Sequence, residues 1–360
     1  MLVKIVLTLI VIMGALNLAG FLTWVERKQS AVIQDRIGAN RARIFGLRLL
    51  GLFHPLADMI KLIMKEDFTP RLGHKTLHML APFISVFFAL IAFAAIPIGD
   101  HLMLWGHPVS LQVSNMNVGL LYIFAVMSMG VYGVFLAGFS SNNNYSFLGG
   151  LRASSQMISY EITMGVSLIG IIMIYGSLNL QDLVQAQGHY WLSWIPQWGI
   201  FVQPVGFLLF MTAAMAETKR APFDLPEGES EIIGYFVEYS GMKFGMFMLS
   251  DFLETVLAAA LLATLFFGGW QIPYLFSDGF HFPWGGVWLI PQTGVALLGV
   301  LSFSLKIIFF CWFLMMVRWT LPRFRYDQLM RLGWKMMLPL ALMNILVTGL
   351  IMVLLKEFIL

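Results

Sequence analysis

The sequence predicts an all-α polytopic membrane protein with about eight transmembrane helices and one amphipathic helix along the cytoplasmic membrane surface. Three observations carry that prediction. Hydrophobic residues make up 59% of the 360 residues and charged residues only 11%, against about 25% charged in soluble domains. Eight apolar stretches approach the roughly 20 residues needed to cross hydrocarbon. Lys and Arg gather in alternate connections, with none in the connections between. An alternating barrel pattern is missing, so helices are the way to satisfy the backbone in lipid.

The expected spans are Ile5–Trp24, Leu77–Ile98, Val118–Phe139, Ser154–Tyr175, Ile200–Glu217, Met242–Phe267, Thr293–Trp319 and Met336–Leu355. Together, 1–360 read as a single membrane domain, with two informative connections at 26–76 and 217–241. The first of these holds ten of the chain's 22 Lys and Arg, whereas 100–117, 176–199 and 268–292 hold none. Positive connections stay in the cytoplasm, which places both termini outside. The outer connections instead carry Trp105, Trp191, Trp194, Trp198, Trp270, Trp284 and Trp288, an interfacial aromatic belt. Near the start, only Lys4 precedes the apolar run, a basic cluster follows it, and no small-residue cleavage site interrupts it. The first span reads as a retained, reversed anchor.

Several function classes are excluded. The one cysteine, Cys311, lies inside a span, so disulfides and cysteine-ligated iron–sulfur clusters within the chain are ruled out. The seven histidines sit in connections or at span ends, a poor arrangement for a bis-histidine haem. No phosphate loop or dinucleotide fingerprint is present. Neither a metal site nor a nucleic-acid surface is expected, and any electron chemistry belongs to a partner.

Within Leu47–Met64, apolar residues recur at three and four between Arg48, Asp58, Lys61 and Lys65. This is an amphipathic helix, too polar to span, lying along the interface. It is either a surface anchor or the wall of a lipid-side opening. Pro55 bends it or starts its main part.

Ionisable groups inside spans are costly and tend to mark proton, ion or substrate paths. Glu161 lies about two turns, roughly 10 Å, past the start of the fourth span. Asp251 and Glu254 are three apart in the sixth and share a face. Lys306 is near the middle of the seventh and is expected to pair with Glu254 or Asp251. That set is either a structural ion pair or a proton relay.

Ala216–Gly241 packs six carboxylates between two apolar stretches: Glu217, Asp224, Glu227, Glu229, Glu231 and Glu238. Pro222 and Pro226 stiffen the turn. Close carboxylates resist ionising together, so some hold their protons more tightly and respond to nearby charge. The plainer alternative is a hydrated connection contacting a basic partner. Asp182 and Asp278 read as solvated surface.

Five segments carry a family resemblance. They are WVERKQSAVIQDRIGANR, HPLADMIKLIMKEDFTP, GGLRASSQMISYEI, AETKRAPFDLPEGESEIIGYFVEYSG and LPRFRYDQLMRLGWKMMLP, in that order. The chain resembles, over nearly its whole length, the quinone-chamber membrane subunit of respiratory complex I, the H-type family of membrane subunits in proton-pumping NADH:quinone oxidoreductases. It departs from the usual wording at Ala39, where proline is usual, at Lys219 for asparagine and at Asp251 for glutamate. The stretch from Glu231 to Glu238 is also one residue short of the common length.

The resemblance implies a bacterial inner-membrane subunit without a redox centre, joining a peripheral arm to a proton-pumping membrane arm. Iron–sulfur clusters and flavin would sit on partner subunits, and quinone would be the substrate. Partners would be the peripheral quinone-site and iron–sulfur subunits and the small and antiporter-like membrane subunits. By carry-over, Arg27, Arg36, Asp58, Arg220, Arg323 and Arg325 would line a quinone tunnel or its neck. Glu161, Glu217, Glu227, Glu229, Glu231 and Glu238, with Asp251, Glu254 and Lys306, would form the proton-coupling chain. Two alternatives stand beside this reading: the membrane subunit of an energy-converting hydrogenase, and an independent ion transporter. The basic neck disfavours the first, and the missing internal repeat disfavours the second.

Overall fold

A computed structural model describes residues 2–104, 107–191, 194–224 and 234–359. Within them, seven helices are long and apolar enough to cross a membrane, and an eighth apolar helix is shorter. The first, α1 (Leu2–Ile33), has 32 residues, or about 48 Å at 1.5 Å each. That exceeds the ~30 Å of hydrocarbon, so α1 carries Glu26 and its basic neighbours past the apolar zone. A short 3-10 turn (Leu49–Gly51) leads to α2 (His54–Met64). Pro55 stands in the first turn of α2, where a missing N–H costs nothing. The amphipathic segment is therefore shorter than its periodicity suggested, with Pro55 at its start. Its residues Leu56, Met59, Ile60 and Ile63 are exposed, while the Leu62 side chain seats on Gly245, where a Cβ would lie 2.9 Å from Leu62 Cδ1 and the leucine would have to shift.

The next spans are α3 (Lys75–Ile91), α4 (Gly119–Ser140) and α5 (Asn144–Tyr175). Helix α5 starts ten residues before the expected span because the Asn143 side chain accepts from the Tyr145 amide, a good N-cap. Glu161 consequently lies farther from the helix start than the hydropathy boundary implied. A short helix α6 (Leu180–Ala186) follows.

The fifth span is broken into α7 (Gly199–Val202) and α8 (Pro204–Glu217). Pro204 has no N–H to continue a helix through Gln203. The break is sealed by side chains: Gln203 Nε2 donates to Thr348 Oγ1 at 2.6 Å, and Asn344 Nδ2 donates to Gln203 Oε1 at 2.9 Å. Helix α9 (Gly241–Phe266) is the core of the bundle, apolar around most of its circumference and buried accordingly. It packs against α1, α2, α3, α8 and α10 (Gln292–Thr320).

The last span runs through α11 (Tyr326–Arg331), a π-helical turn (Leu332–Met337) and α12 (Leu338–Ile359). Pro339 supplies the reason for the π turn, because it lacks the N–H that would bond the Lys335 carbonyl. The Tyr160 hydroxyl donates to the Leu329 carbonyl at 2.9 Å and pins this entrance to α5.

The helix ends sort into two faces. One holds the basic connections. The other holds three small antiparallel sheets that hydropathy did not announce. They pair β1 (His101–Leu104) with β2 (His107–Ser110), β3 (Tyr190–Trp191) with β4 (Ile195–Pro196), and β5 (Leu275–Phe276) with β6 (Gly279–His281) and β7 (Val287–Leu289). The expected tryptophan belt falls on this second face, apart from Trp105, which lies outside the described residues.

Candidate functional site

The site grows from the basic face, where α1, α8, α9 and α10 end together. Glu26, near the end of α1, binds two guanidiniums: Arg220 at 2.9 Å and Arg318 from the last turn of α10. The Arg220 guanidinium lies 3.9 Å from the centre of the Phe252 ring, a stacked cation–π contact. Beside it, Arg27 pairs with Asp58 of α2 at 2.6 Å. Arg323 pairs with Asp224 at 3.0 Å. Burial pushes the Asp224 carboxyl above its usual range, against the pull of Arg323 and Arg318. Glu26, Arg220 and Arg318, with Asp251, Phe236 and Phe244 among others, line a cleft of about 150 Å³.

The turn after α8 is anchored before it reaches the cleft. Gln156 Nε2 of α5 donates to the carbonyls of Ala216 at 2.7 Å and Phe223 at 2.8 Å. The Phe324 amide donates to the Pro222 carbonyl at 3.0 Å. One residue in this turn is conformationally costly. Lys219 follows the helix cap in the left-handed region with φ of 55°, a position that favours Gly or Asn. Strain of this kind is on the order of 1–3 kcal/mol.

That backbone aims the Lys219 side chain inward. Its ammonium lies 2.8 Å from Asp251 Oδ1 and 3.4 Å from Glu254 Oε2, with the lysine side chain 1% exposed. Burial opposes charge on Lys219, but Asp251 and Glu254 outweigh it and raise its pKa well above the usual value. The ammonium therefore stays charged. Glu217 is buried at the end of α8, with Oε2 lacking a hydrogen-bond partner. It is an electrostatic neighbour of Glu161, Glu254 and Lys219. A cavity of about 10 Å³ borders Glu217, Thr218 and Glu254, about the room one water needs.

Five sequence-predicted or neighbouring groups are thus gathered: Glu161, Glu217, Asp251, Glu254 and the unpredicted Lys219. The expected pairing of Lys306 with Glu254 or Asp251 is not what forms. Lys306 Nζ instead donates to the carbonyls of Phe267, Gly269 and Gln271 at 2.7, 2.8 and 2.7 Å. Those carbonyls lie just past the end of α9, about 20 Å along that helix from Glu254. The negative end of the helix dipole and three oriented carbonyls satisfy the ammonium there.

Glu238 is placed apart from the buried cluster. Its carboxylate accepts from Asn143 Nδ2 at 2.8 Å, near the stacked rings of His78 and Tyr239. Arg36 contacts Gln34, and Arg325 pairs with Asp327 on the surface. Glu227, Glu229 and Glu231 lie outside the described residues.

Sequence reasoning passed over Glu26, Lys219 and Arg318 as site residues, and it named Asp224 only within the acidic cluster, without its arginine partner. Glu26 was detectable as the acid that opens the basic run in WVERK. Lys219 was visible only as a departure from common wording.

Comparison with known proteins agrees with the geometry. A family model described as NADH dehydrogenase matches residues 4–349. The chain is 46% identical to the first H-type subunit of the NADH-quinone oxidoreductase of Cytophaga hutchinsonii, covering 93% of this chain and 92% of that protein. It is 45% identical to the H-type subunit of the NADH-quinone oxidoreductase of Flavobacterium psychrophilum, covering 94% of each. Identity to the corresponding protein of Thermomicrobium roseum is 44%, over 93% of this chain and 92% of that one. The chain therefore belongs to the NADH dehydrogenase family, as an H-type membrane subunit of the NADH-quinone oxidoreductase of respiratory complex I, an enzyme complex.

Proposed function

We propose that this subunit forms the membrane end of the quinone chamber and couples quinone reduction to proton translocation through its buried carboxylates. The observation that carries the reading is the position of Asp251. It lines the cleft that holds Glu26, Arg220 and Arg318, and its carboxylate binds the lysine at the centre of the buried cluster. One side chain therefore belongs to both the cleft and the carboxylates.

In this reading the basic face is cytoplasmic, the termini are periplasmic, and the membrane is the bacterial inner membrane. The isoprenoid tail is admitted beside α1, α2 and α9, where apolar side chains of α2 are exposed. Arg27, Asp58, Arg220 and Arg323 shape the polar neck, with Arg36 and Arg325 nearer the peripheral arm. Electrons come from an iron–sulfur partner subunit, with flavin farther along the peripheral arm. Reduction changes the charge near the neck, and Asp251, Glu254, Glu217 and Glu161 respond by redistributing protons. Glu238 continues the acidic route at the basic face, towards small and antiporter-like membrane partners, and Glu227, Glu229 and Glu231, outside the described residues, are assigned to the same chain. Lys306 stands at the outer end of the set and holds α9 in place.

The test uses the assembled complex in membrane vesicles. With Glu217→Gln, NADH:ferricyanide activity is expected to persist while protons pumped per electron to quinone fall by about half or more. An unchanged ratio in assembled complex would remove the coupling role.

A further inference from the structure

We propose that Lys219 is a fixed-charge positioning residue: by holding Asp251 and Glu254 as a charge-compensated set, it makes Glu217, with Glu161 behind it, the proton-accepting end of the cluster. The inference rests on the coupling reading above and deepens it.

The argument starts from charge counting. Four carboxylates, Glu161, Glu217, Asp251 and Glu254, are electrostatic neighbours around one turn, and Lys219 is the cation placed among them. Lys306 is engaged by three carbonyls elsewhere and contributes nothing here. A single ammonium cannot compensate four ionised carboxylates in a site of low polarity, so the compensation is unequal. The geometry shows which acids receive it. Asp251 and Glu254 touch the ammonium at 2.8 and 3.4 Å. Glu217 makes no such contact, and its Oε2 is buried without a partner.

A protonated carboxyl tolerates burial of this kind better than a carboxylate does. Lys219 thereby divides the cluster. Asp251 and Glu254 share the ammonium, and Glu217 and Glu161 are left to carry the proton. A cavity of about 10 Å³ bordered by Glu217 and Glu254 stands at the boundary between the two halves.

The backbone supports an assigned role for the side chain. Lys219 holds a left-handed φ of 55°, and its rigid turn is tied to α5 by two bonds from Gln156. The groups facing the ammonium are Asp251 and Glu254 from α9, Glu217 from α8 and the Tyr235 ring at 6.0 Å, with Glu161 from α5 as the neighbour of Glu217. Asn tolerates the left-handed conformation, so Lys219→Asn removes the charge without breaking the turn. Lys219→Arg keeps the charge.

Quinone reduction is measured against pH in the assembled complex, together with protons pumped per electron, each normalised to NADH:ferricyanide activity. Removing a cation raises the proton affinity of neighbouring carboxylates. The acid limb of the Lys219→Asn profile is therefore expected to move alkaline by about one pH unit or more, with a lowered pumping ratio. Lys219→Arg is expected to restore the wild-type limb. If Lys219→Asn does not assemble, Asp251→Asn replaces it: with one of the two anions that share the ammonium removed, more of its charge acts on Glu254 and Glu217, and the acid limb is expected to move acidic. An unmoved limb and an unchanged ratio in the assembled variant overturn the proposal. Glu217→Gln separates the two readings. If it leaves pumping intact, the coupling reading itself falls; if it abolishes pumping while Lys219→Asn changes nothing, only the role of Lys219 falls.

Discussion

Lys219 and Asp251 meet at 2.8 Å across the turn between α8 and α9, and Asp251 also faces the cleft that holds Arg220. The contact joins the loop after one span to the third turn of the next. Its weight comes from burial: the lysine side chain is 1% exposed and that of Asp251 12%. Deleting one member of such a pair leaves the other charge without compensation. Asp251→Ala is therefore expected to destabilise the protein by about 3–5 kcal/mol. Reduced abundance of assembled complex and a lowered thermal transition in detergent would check this. An Asp251→Ala complex as stable as wild type would mean that Glu254 alone satisfies Lys219.

The Arg27–Asp58 pair ties α1 to the amphipathic helix at 2.6 Å, with both side chains partly exposed. Exposed pairs contribute little to stability, so either Ala variant should assemble. The pair does set the spacing between α1 and α2. Arg27→Ala or Asp58→Ala is expected to slow quinone reduction about tenfold while sparing NADH:ferricyanide activity. Equal loss of both activities would point to failed assembly.

Lys306 leads to a different expectation. Its ammonium is consumed by three carbonyls and lies 4.8 Å from the Trp198 ring centre. Hydrogen bonds to a charged group are each worth about 1.5–3 kcal/mol. Lys306→Met should lower the yield of assembled complex by loosening the end of α9. In the complex that does assemble, protons pumped per electron should match wild type. A lowered ratio there would return Lys306 to the coupling chain.

Hydropathy reads single helices well because crossing lipid is a property of one segment. Seven long spans were legible for that reason, as was the amphipathic character of 54–64. The break at Gln203 was less so, since its stability depends on Asn344 and Thr348 from a distant helix. Ion-pair partners were harder still. Depth along a span suggested Lys306 for Glu254, but the partner is set by helix register and by which end of α9 approaches α10. The inward aim of Lys219 follows from a left-handed backbone that composition does not encode. The small sheets of the second face depend on pairings between short segments of two to four residues, too brief for an alternating pattern to register.

Glu26 yields the last expectation. One carboxylate is shared by Arg220 and Arg318, so it offsets the repulsion between two guanidiniums brought together at the cleft. Its side chain is 15% exposed, so solvent screens that repulsion only in part. Glu26→Gln keeps the shape and one acceptor but removes the charge. The two arginines should then separate, disturbing Phe252, on which Arg220 stacks at 3.9 Å, and through it the wall of the cleft. Quinone reduction is expected to fall about tenfold, mainly through a higher KM. Because the cause is repulsion between like charges, added salt should recover part of the loss by screening, with a Debye length of about 8 Å at 0.15 M and about 3 Å at 1 M. Glu26→Asp, which keeps the charge on a shorter arm, should lose less. A Glu26→Gln complex whose KM is raised but indifferent to ionic strength would show that Glu26 acts through hydrogen bonding rather than charge.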